Sequence, residues 1–302
     1  MKAHVLITGA DSPTAVRLMN AIANDVVVWA AENDAAAPGL TLVPVERRLL
    51  VPPGDHASFV DRVAALCEEH CIDVVIPTHD TELLPMCVER GRLERIGVGV
   101  MVGSMQTLLA CLDRFEAIRQ ANGVIGVPDT KIFDGSFRPA SEEFPVVVKP
   151  RRGGATMGGR VIWSTEDLDN LPRDPQTIAQ EFLSGAEYSV DVLTNRHGEL
   201  IDTVARQRLR VNPGVTITCD IAENDALARA AGAIATAIGL RGAANLRFRY
   251  DGNGSPRLLE VNAAVETREM WRMWLDELLG VELVSAADTG DGGEGGSMAA
   301  AE

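Results

Sequence analysis

Three stretches of the chain combine residue types and spacings that could do chemistry on a phosphorylated small molecule. In the first, the apolar run Phe144-Pro-Val-Val-Val148 ends in Lys149 and passes into Pro150-Arg-Arg-Gly-Gly-Ala-Thr-Met-Gly-Gly-Arg160. Glycines let a backbone approach an anion closely with its N–H groups turned inward, and Lys149, Arg151 and Arg152 add charge, which suits a polyphosphate. The loop lacks the G-x-x-x-x-G-K-[ST] spacing of a P-loop, and a surface hairpin with solvated arginines is the competing reading. In the second stretch, Gln180 to Asp191, Glu181 and Glu187 flank a turn at Gly185 between two strands. Carboxylates accept hydrogen bonds well from the paired hydroxyls of a sugar, although a glutamate beside a turn is ordinarily just solvated.

The third stretch is the most informative. Asn245–Tyr250 and Arg257–Asn262 flank the turn sequence Asp251-Gly-Asn-Gly-Ser-Pro256, which predicts an antiparallel hairpin. With Tyr250 opposite Arg257, Arg247 falls opposite Glu260 and Asn245 opposite Asn262. All four then share one face, while Leu246, Phe248, Leu259 and Val261 pack on the other. Paired oxygen ligands on such a face suit a hard cation such as Mg²⁺ beside a triphosphate. A plain Arg247–Glu260 pair without metal is the alternative.

These residues need a scaffold. Lys2–Thr8 reads as a strand closed by Gly9, with a helix after Pro13, and further strands follow at Asp25–Trp29, Ile72–Pro77 and Val98–Val102. A helix over Ala57–Cys71 places Phe59, Val63, Leu66 and His70 near one face. Strands alternating with helices predict a doubly wound parallel sheet. Gly9-Ala-Asp-Ser-Pro13 suggests an anion site at a helix N-terminus, though it is not a dinucleotide fingerprint, so nicotinamide chemistry on this lobe alone is a weak rival. Asp80, in Pro77-Thr-His-Asp-Thr-Glu82 at the same sheet edge, is either a substrate contact or the N-cap of the next helix. Beyond Leu108 the spacing predicts a helix over Cys111–Ala121 and then strands punctuated by Pro and Gly. Period-2 alternation from Tyr188 onward is interrupted by a helix near Asn224–Ile238. Trp271 and Trp274, at helical spacing, read as core.

Composition narrows the function classes. The 302 residues are 46% hydrophobic, enough for more than one compact lobe. With 28 Lys+Arg against 43 Asp+Glu the net charge is −15, which disfavours nonspecific binding to nucleic acid or to an anionic membrane. Any phosphate must therefore meet a local basic site. Five unpatterned cysteines, no leader-like N-terminus and no apolar run of spanning length predict a cytoplasmic protein. Cys67, His70 and Cys71 crowd one helix end and do not converge as a tetrahedral zinc site requires. The Gly-rich acidic stretch 288–302 reads as a disordered tail.

Taken in order, Leu112-Asp-Arg114, Gly126-Val-Pro128, Val147-Val-Lys-Pro-Arg151, Gln180-Glu-Phe182, Gly185-Ala-Glu-Tyr-Ser-Val-Asp191 and Leu259-Glu-Val-Asn262 resemble the ATP-grasp superfamily. The resemblance is strongest to its stand-alone members similar to the large chain of carbamoyl-phosphate synthase. It runs from Val5 to about Leu283 and implies an α/β protein. An N-terminal doubly wound parallel-sheet domain (1–108) would precede an ATP-grasp fold of two α+β lobes. These are a small lobe with the Gly-rich loop (109–187) and a catalytic lobe (188–287), with the tail beyond.

The resemblance also implies ATP and Mg²⁺ as cofactors. It places Arg114, Lys149, Arg151, Gly153, Gly154 and Thr156 at the phosphates, Glu181, Phe182 and Leu183 against adenine, Glu187 on the ribose, and Glu260 and Asn262 on the metal. Arg206, Arg208, Arg247 and Arg268 would serve the transferred phosphate and a carboxylate substrate, although Arg206 and Arg208 could equally be solubilising charges at a sheet edge. The implied activity joins a small carboxylic acid, such as an amino acid or peptide, to an amine through an acyl phosphate, with the loop closing to exclude water. Neither nucleic acid nor membrane is an expected partner, and assembly of several copies is allowed but not specified.

Two departures mark this chain. Family members usually carry Gln where Arg247 stands, and Pro-Arg where Ala263-Ala264 stands. Arginine cannot ligate a metal and its fixed charge repels one. The alternative function is accordingly a nucleotide-binding regulatory or scaffold protein with weakened catalysis.

Overall fold

The computed structural model describes residues 2–152, 159–212, 215–222, 224–263 and 267–280. Gly153, Gly154 and Thr156, Ala264 and the stretch 288–302 lie outside the described residues. The first apolar run forms β1 (His4–Thr8) and stops at Gly9, where φ is +64° and a Cβ would stand 2.7 Å from the His79 ring. Glycine alone meets both demands. Ser12 then caps α1 (Pro13–Ile22), its Oγ accepting from the Ala15 amide at 2.9 Å.

The remaining elements of the first lobe are β2 (Val27–Glu32), β3 (Arg48–Leu50), α2 (Phe59–His70), β4 (Val74–Ile76), α3 (Asp80–Val88), α4 (Arg90–Arg95) and β5 (Gly99–Val100). All five strands pair parallel in the order β3-β2-β1-β4-β5. Alternation sends Val5 and Ile7 to a core with α1, and Leu6 and Val75 to one with α2. The sheet is doubly wound, as its sequence predicts.

Two expectations about its C-terminal edge are corrected. The loop after β1 is closed by the chain's own carboxylates: Asp11 accepts from the Gly39 amide at 2.7 Å, and Glu32 from the Asp11 amide at 3.3 Å. Buried Glu82 accepts from Thr8 Oγ1 at 2.7 Å and from the amides of Thr78 and His79. Three acids around the loop make it a poor anion site. Asp80 is the exposed first residue of α3, the N-cap being His79, whose own amide donates to the Glu82 carboxylate as in a capping box.

The helix expected over Cys111–Ala121 is broken at Asp113 into α5 (Met105–Leu112) and α6 (Arg114–Ala121). Asp113 leaves the helical region, and its Oδ1 accepts from the Phe115 and Glu116 amides at 3.2 Å each. Arg151 and Arg152 bind the same carboxylate from outside at 2.8 and 3.3 Å. Local capping thus outweighs an unbroken apolar period.

Strands β6 (Thr130–Ile132), β7 (Val146–Pro150), β8 (Arg160–Ile162) and β9 (Thr177–Glu181) form a small antiparallel sheet, ordered β6-β9-β7-β8. With α7 (Thr165–Asp169) it encloses a core of its own: Phe133, Val146, Ile162, Leu168 and Ala179. A larger antiparallel sheet is ordered β12-β11-β10-β13-β14. Its members are β10 (Glu187–Thr194), β11 (Leu200–Asn212), β12 (Val215–Ile221), β13 (Gly242–Tyr250) and β14 (Pro256–Asn262). Helix α8 (Asp225–Ala237) and the apolar side of α6 cover one of its faces, so the segment 109–187 contributes to two cores.

Finally α9 (Arg268–Leu279) packs Met270, Trp271 and Trp274 against Val5, Ile7, Leu193 and Ala243. Both tryptophans are core. Arg272 clasps Asp25 at 2.6 and 2.7 Å, so α9 straps the parallel sheet to the larger antiparallel one. Among the described residues no helix is long and apolar enough to cross a membrane.

Candidate functional site

The uncovered face of the larger sheet is where the predicted side chains meet. On β10 the period-2 alternation points Glu187, Ser189 and Asp191 to this face and Tyr188, Val190 and Val192 into the core. Neighbouring strands add Arg206 and Arg208 from β11, Asn245 and Arg247 from β13, and Glu260 and Asn262 from β14.

The hairpin pairs Arg247 with Glu260 and Asn245 with Asn262, but its turn differs from expectation. Tyr250 lies opposite Pro256 rather than Arg257, and a β-bulge after Arg247 absorbs Leu259 as the extra residue. Leu258, not Leu259, therefore fills the core beside Phe248.

Glu260 is the hub. Arg247 Nη1 lies 2.7 Å from its Oε1, and Arg114 Nε donates to its Oε2 at 2.7 Å. Arg114 also donates to the Pro150 carbonyl at 3.1 Å, tying the start of α6 to the end of β7. Half-buried Lys149 brings a third positive charge from β7. Burial alone would raise the Glu260 carboxyl, but Arg247, Lys149 and Arg114 outweigh it and hold it at about 2. The same enclosure pushes the Lys149 ammonium down to about 8: burial dominates, Arg114 and Arg247 add to it, and Glu260 and Glu187 oppose it.

Farther along the face, Arg208 pairs with Glu187, and Arg206 reaches Asp191 at 3.3 Å. Fully buried Asp191 also accepts from Asn245 Nδ2 at 2.7 Å and from the Thr267 amide and hydroxyl at 2.9 Å each. Ser189 Oγ, Asn245 Oδ1 and Glu260 Oε1 are buried polar atoms without a hydrogen-bond partner among the described residues, Glu260 Oε1 meeting Arg247 as an ion pair. Buried polar groups are ordinarily paired, so these atoms have hydrogen-bonding capacity left for a further partner.

The remaining predicted residues sit around this centre in different states. Arg151 is turned back to Asp113, its guanidinium 5.5 Å from the Phe115 ring centre. The Asp113 carboxyl is held below the usual carboxylate range, because bonds from Arg151, Arg152 and the Glu116 amide overcome its burial. Glu181 is exposed and its carboxylate accepts from the Asp129 amide at 3.1 Å. Phe182 is half-buried between Trp163 and Arg249, and Leu183 is buried. Arg268 is exposed at the first turn of α9. Asn245 shares the face with Arg247, Glu260 and Asn262 as its register predicts, whereas Asp191 and Ser189 carry no role in the sequence reading, although their alternation with Glu187 was there to be read. The role of Asp113 as the counter-charge of the basic loop had no such signal.

Mg²⁺ makes definite demands on such a donor set. A small hard cation needs oxygen atoms turned toward it. Both Glu260 oxygens are engaged by guanidinium groups, Asn262 stands across from Asn245, and the charges nearest Glu260 are three cations. The arrangement does not fit a divalent metal. It does fit an anion: among the described residues of this face, Lys149, Arg114, Arg206, Arg208 and Arg247 outnumber Glu187, Asp191 and Glu260.

Part of the chain matches a known protein family. Residues 173–266, from just before β9 to just past β14, match the family described as ATP-grasp in the biosynthetic pathway with Ter operon. A D-alanine–D-alanine ligase of Thermotoga sp. (strain RQ2) is 27% identical over 111 residues, 35% of this chain and 37% of the ligase. The vancomycin/teicoplanin A-type resistance protein VanA of Enterococcus faecium is 26% identical over 199 residues, 57% of this chain and 58% of that protein. The matches thus span about a third to just over half of these relatives. The biotin carboxylase domain of Hydrogenobacter thermophilus 2-oxoglutarate carboxylase, solved with MgADP, superposes with a TM-score of 0.70 at 15% identity, over 93% of this chain and 70% of that one. At that identity the likeness is one of fold.

Proposed function

We propose that this chain, whose residues 173–266 match an ATP-grasp family and whose fold is that of ATP-grasp proteins, is an ATP-dependent ligase joining a small carboxylic acid to an amine. The observation that carries the reading is the convergence of Lys149, Arg114 and Arg247 on Glu260, from β7, α6, β13 and β14, into one basic pocket of an acidic chain. D-alanine–D-alanine ligases among its relatives support an amino acid or a short peptide as the acid substrate.

The chemistry asks for charge neutralisation and positioning rather than a covalent nucleophile. A carboxylate oxygen attacks the terminal phosphorus of ATP and ADP departs. The amine then attacks the acyl carbon of the resulting acyl phosphate, phosphate leaves and the amine loses a proton. Lys149, Arg114 and Arg247 would hold the phosphates, and Arg206 and Arg208 would hold the substrate carboxylate from the adjacent strand. Glu181 to Leu183, at the junction of the two antiparallel sheets, would bound the base, and Glu187 the ribose.

The test is ADP release from ATP by the full chain, with and without pooled amino acids and small carboxylic acids, and with Lys149→Ala as control. Release stimulated by the pool and lost in the control supports the ligase, and dividing the pool identifies the acid. A second reading is favoured by Glu260 having both oxygens engaged. On that reading the protein binds nucleotide in a regulatory role, and the same experiment shows ATP bound but no ADP released.

A further inference from the structure

Arg247 is ion-paired with Glu260, the carboxylate that would have to serve a divalent cation. We propose that its guanidinium is a built-in substitute for that cation, so that the site holds a nucleoside triphosphate equally well with and without Mg²⁺. The inference rests on the nucleotide reading above and deepens it.

Four observations support it. Arg247 Nη1 is 2.7 Å from Glu260 Oε1, and the two side chains are only 11% and 8% exposed, so the pair is enclosed rather than a loose surface contact. Breaking a buried pair leaves an uncompensated charge, which makes displacement by an entering metal unfavourable. Arg114 donates to the other oxygen of Glu260, so both oxygens of the carboxylate lie beside a guanidinium group. The described face carries five cationic side chains against three anionic ones, so positive charge for a polyphosphate is supplied by the chain itself. Finally, Ser189 lies in register between Arg206 and Arg247, and its buried Oγ has no hydrogen-bond partner among the described residues. A hydroxyl there can donate to a phosphate oxygen.

Arginine suits this substitution chemically. Its charge is fixed, its planar fork of N–H donors matches the geometry of phosphate oxygens, and it sheds water more readily than an ammonium group or a small dication. A metal ion brought in with ATP adds positive charge to a site where cations already exceed anions, and meets Glu260 already ion-paired on both oxygens.

The test is calorimetric titration of the full chain with ATP, in excess Mg²⁺ and in EDTA, on wild type, Arg247→Gln and Arg247→Lys. Wild type is expected to bind ATP with dissociation constants within about threefold of each other in the two conditions. Arg247→Gln removes the charge and offers an oxygen, so its affinity in EDTA should fall by about tenfold or more and recover when Mg²⁺ is added. Arg247→Lys keeps the charge and should stay nearly indifferent to the metal.

A wild-type loss of about tenfold or more in EDTA overturns the proposal, as does a folded Arg247→Gln protein that remains indifferent to Mg²⁺. If circular dichroism shows that Arg247→Gln does not fold, the wild-type comparison decides alone. Wild type that binds no ATP in either condition overturns the nucleotide reading, and this inference with it.

Discussion

Lys149 carries a charge that it can lose. Its ammonium is pushed from the ordinary 10.5 down to about 8, chiefly because it is buried. Between those values the folded protein binds fewer protons than the unfolded chain, so this residue makes stability rise with pH across that window. Nucleotide binding runs the other way. Phosphate oxygens favour the charged amine, so binding above about pH 8 should draw a proton from solution, and affinity should fall as pH climbs. Calorimetry in two buffers of different ionisation enthalpy measures this directly. We expect uptake approaching one proton per ATP by about pH 9, and no uptake would remove Lys149 from the phosphates. Glu260, held at about 2, stays charged throughout that range and contributes nothing to the signal.

Among the elements, the turn from β9 into β10 sets how the two antiparallel sheets meet. A Cβ on Gly185 would lie 2.5 Å from the Tyr250 carbonyl oxygen and 2.8 Å from Tyr250 Cβ. Backbone cannot turn aside as a side-chain tip can. Gly185→Ala should therefore cost about 1–3 kcal/mol in urea unfolding. It should also weaken ATP binding by displacing Glu187, and an unchanged midpoint would show that the turn relaxes freely. This turn and the hairpin of β13 and β14 were legible in sequence, because each couples a turn signal to strict alternation. The bulge at Leu259 was not, since one extra residue leaves the composition of both strands unchanged. Nor was the break at Asp113, where the apolar period runs on and only the cap betrays the end. The parallel sheet was legible from its apolar runs. The hub at Glu260 was half legible: its partner across the hairpin follows from register, but Arg114, 146 residues away, depends on how lobes pack.

At the scale of the whole molecule, a net charge of −15 surrounds a pocket in which cations prevail. The strap formed by α9 ties the parallel sheet to the sheet that carries those cations. Arg272→Ala would strip Asp25 of a two-pronged partner at a mostly buried contact, 9% and 15% exposed. We expect a loss of about 3 kcal/mol in global stability, read by denaturant unfolding; a loss below about 0.5 kcal/mol would mean that the apolar packing of α9 suffices. The small antiparallel sheet stands apart from this arrangement. Among the described residues, five of its buried side chains make a cluster separate from the cores that α9 and α8 knit together. A lobe with so little interior can open while the rest stays folded, so the local free energy of opening is lower there than for the molecule as a whole. Lys149 belongs to that lobe and Glu260 does not. Binding across the two must therefore draw on the fraction of molecules in which the lobe is closed, and the measured affinity is the intrinsic one multiplied by that fraction.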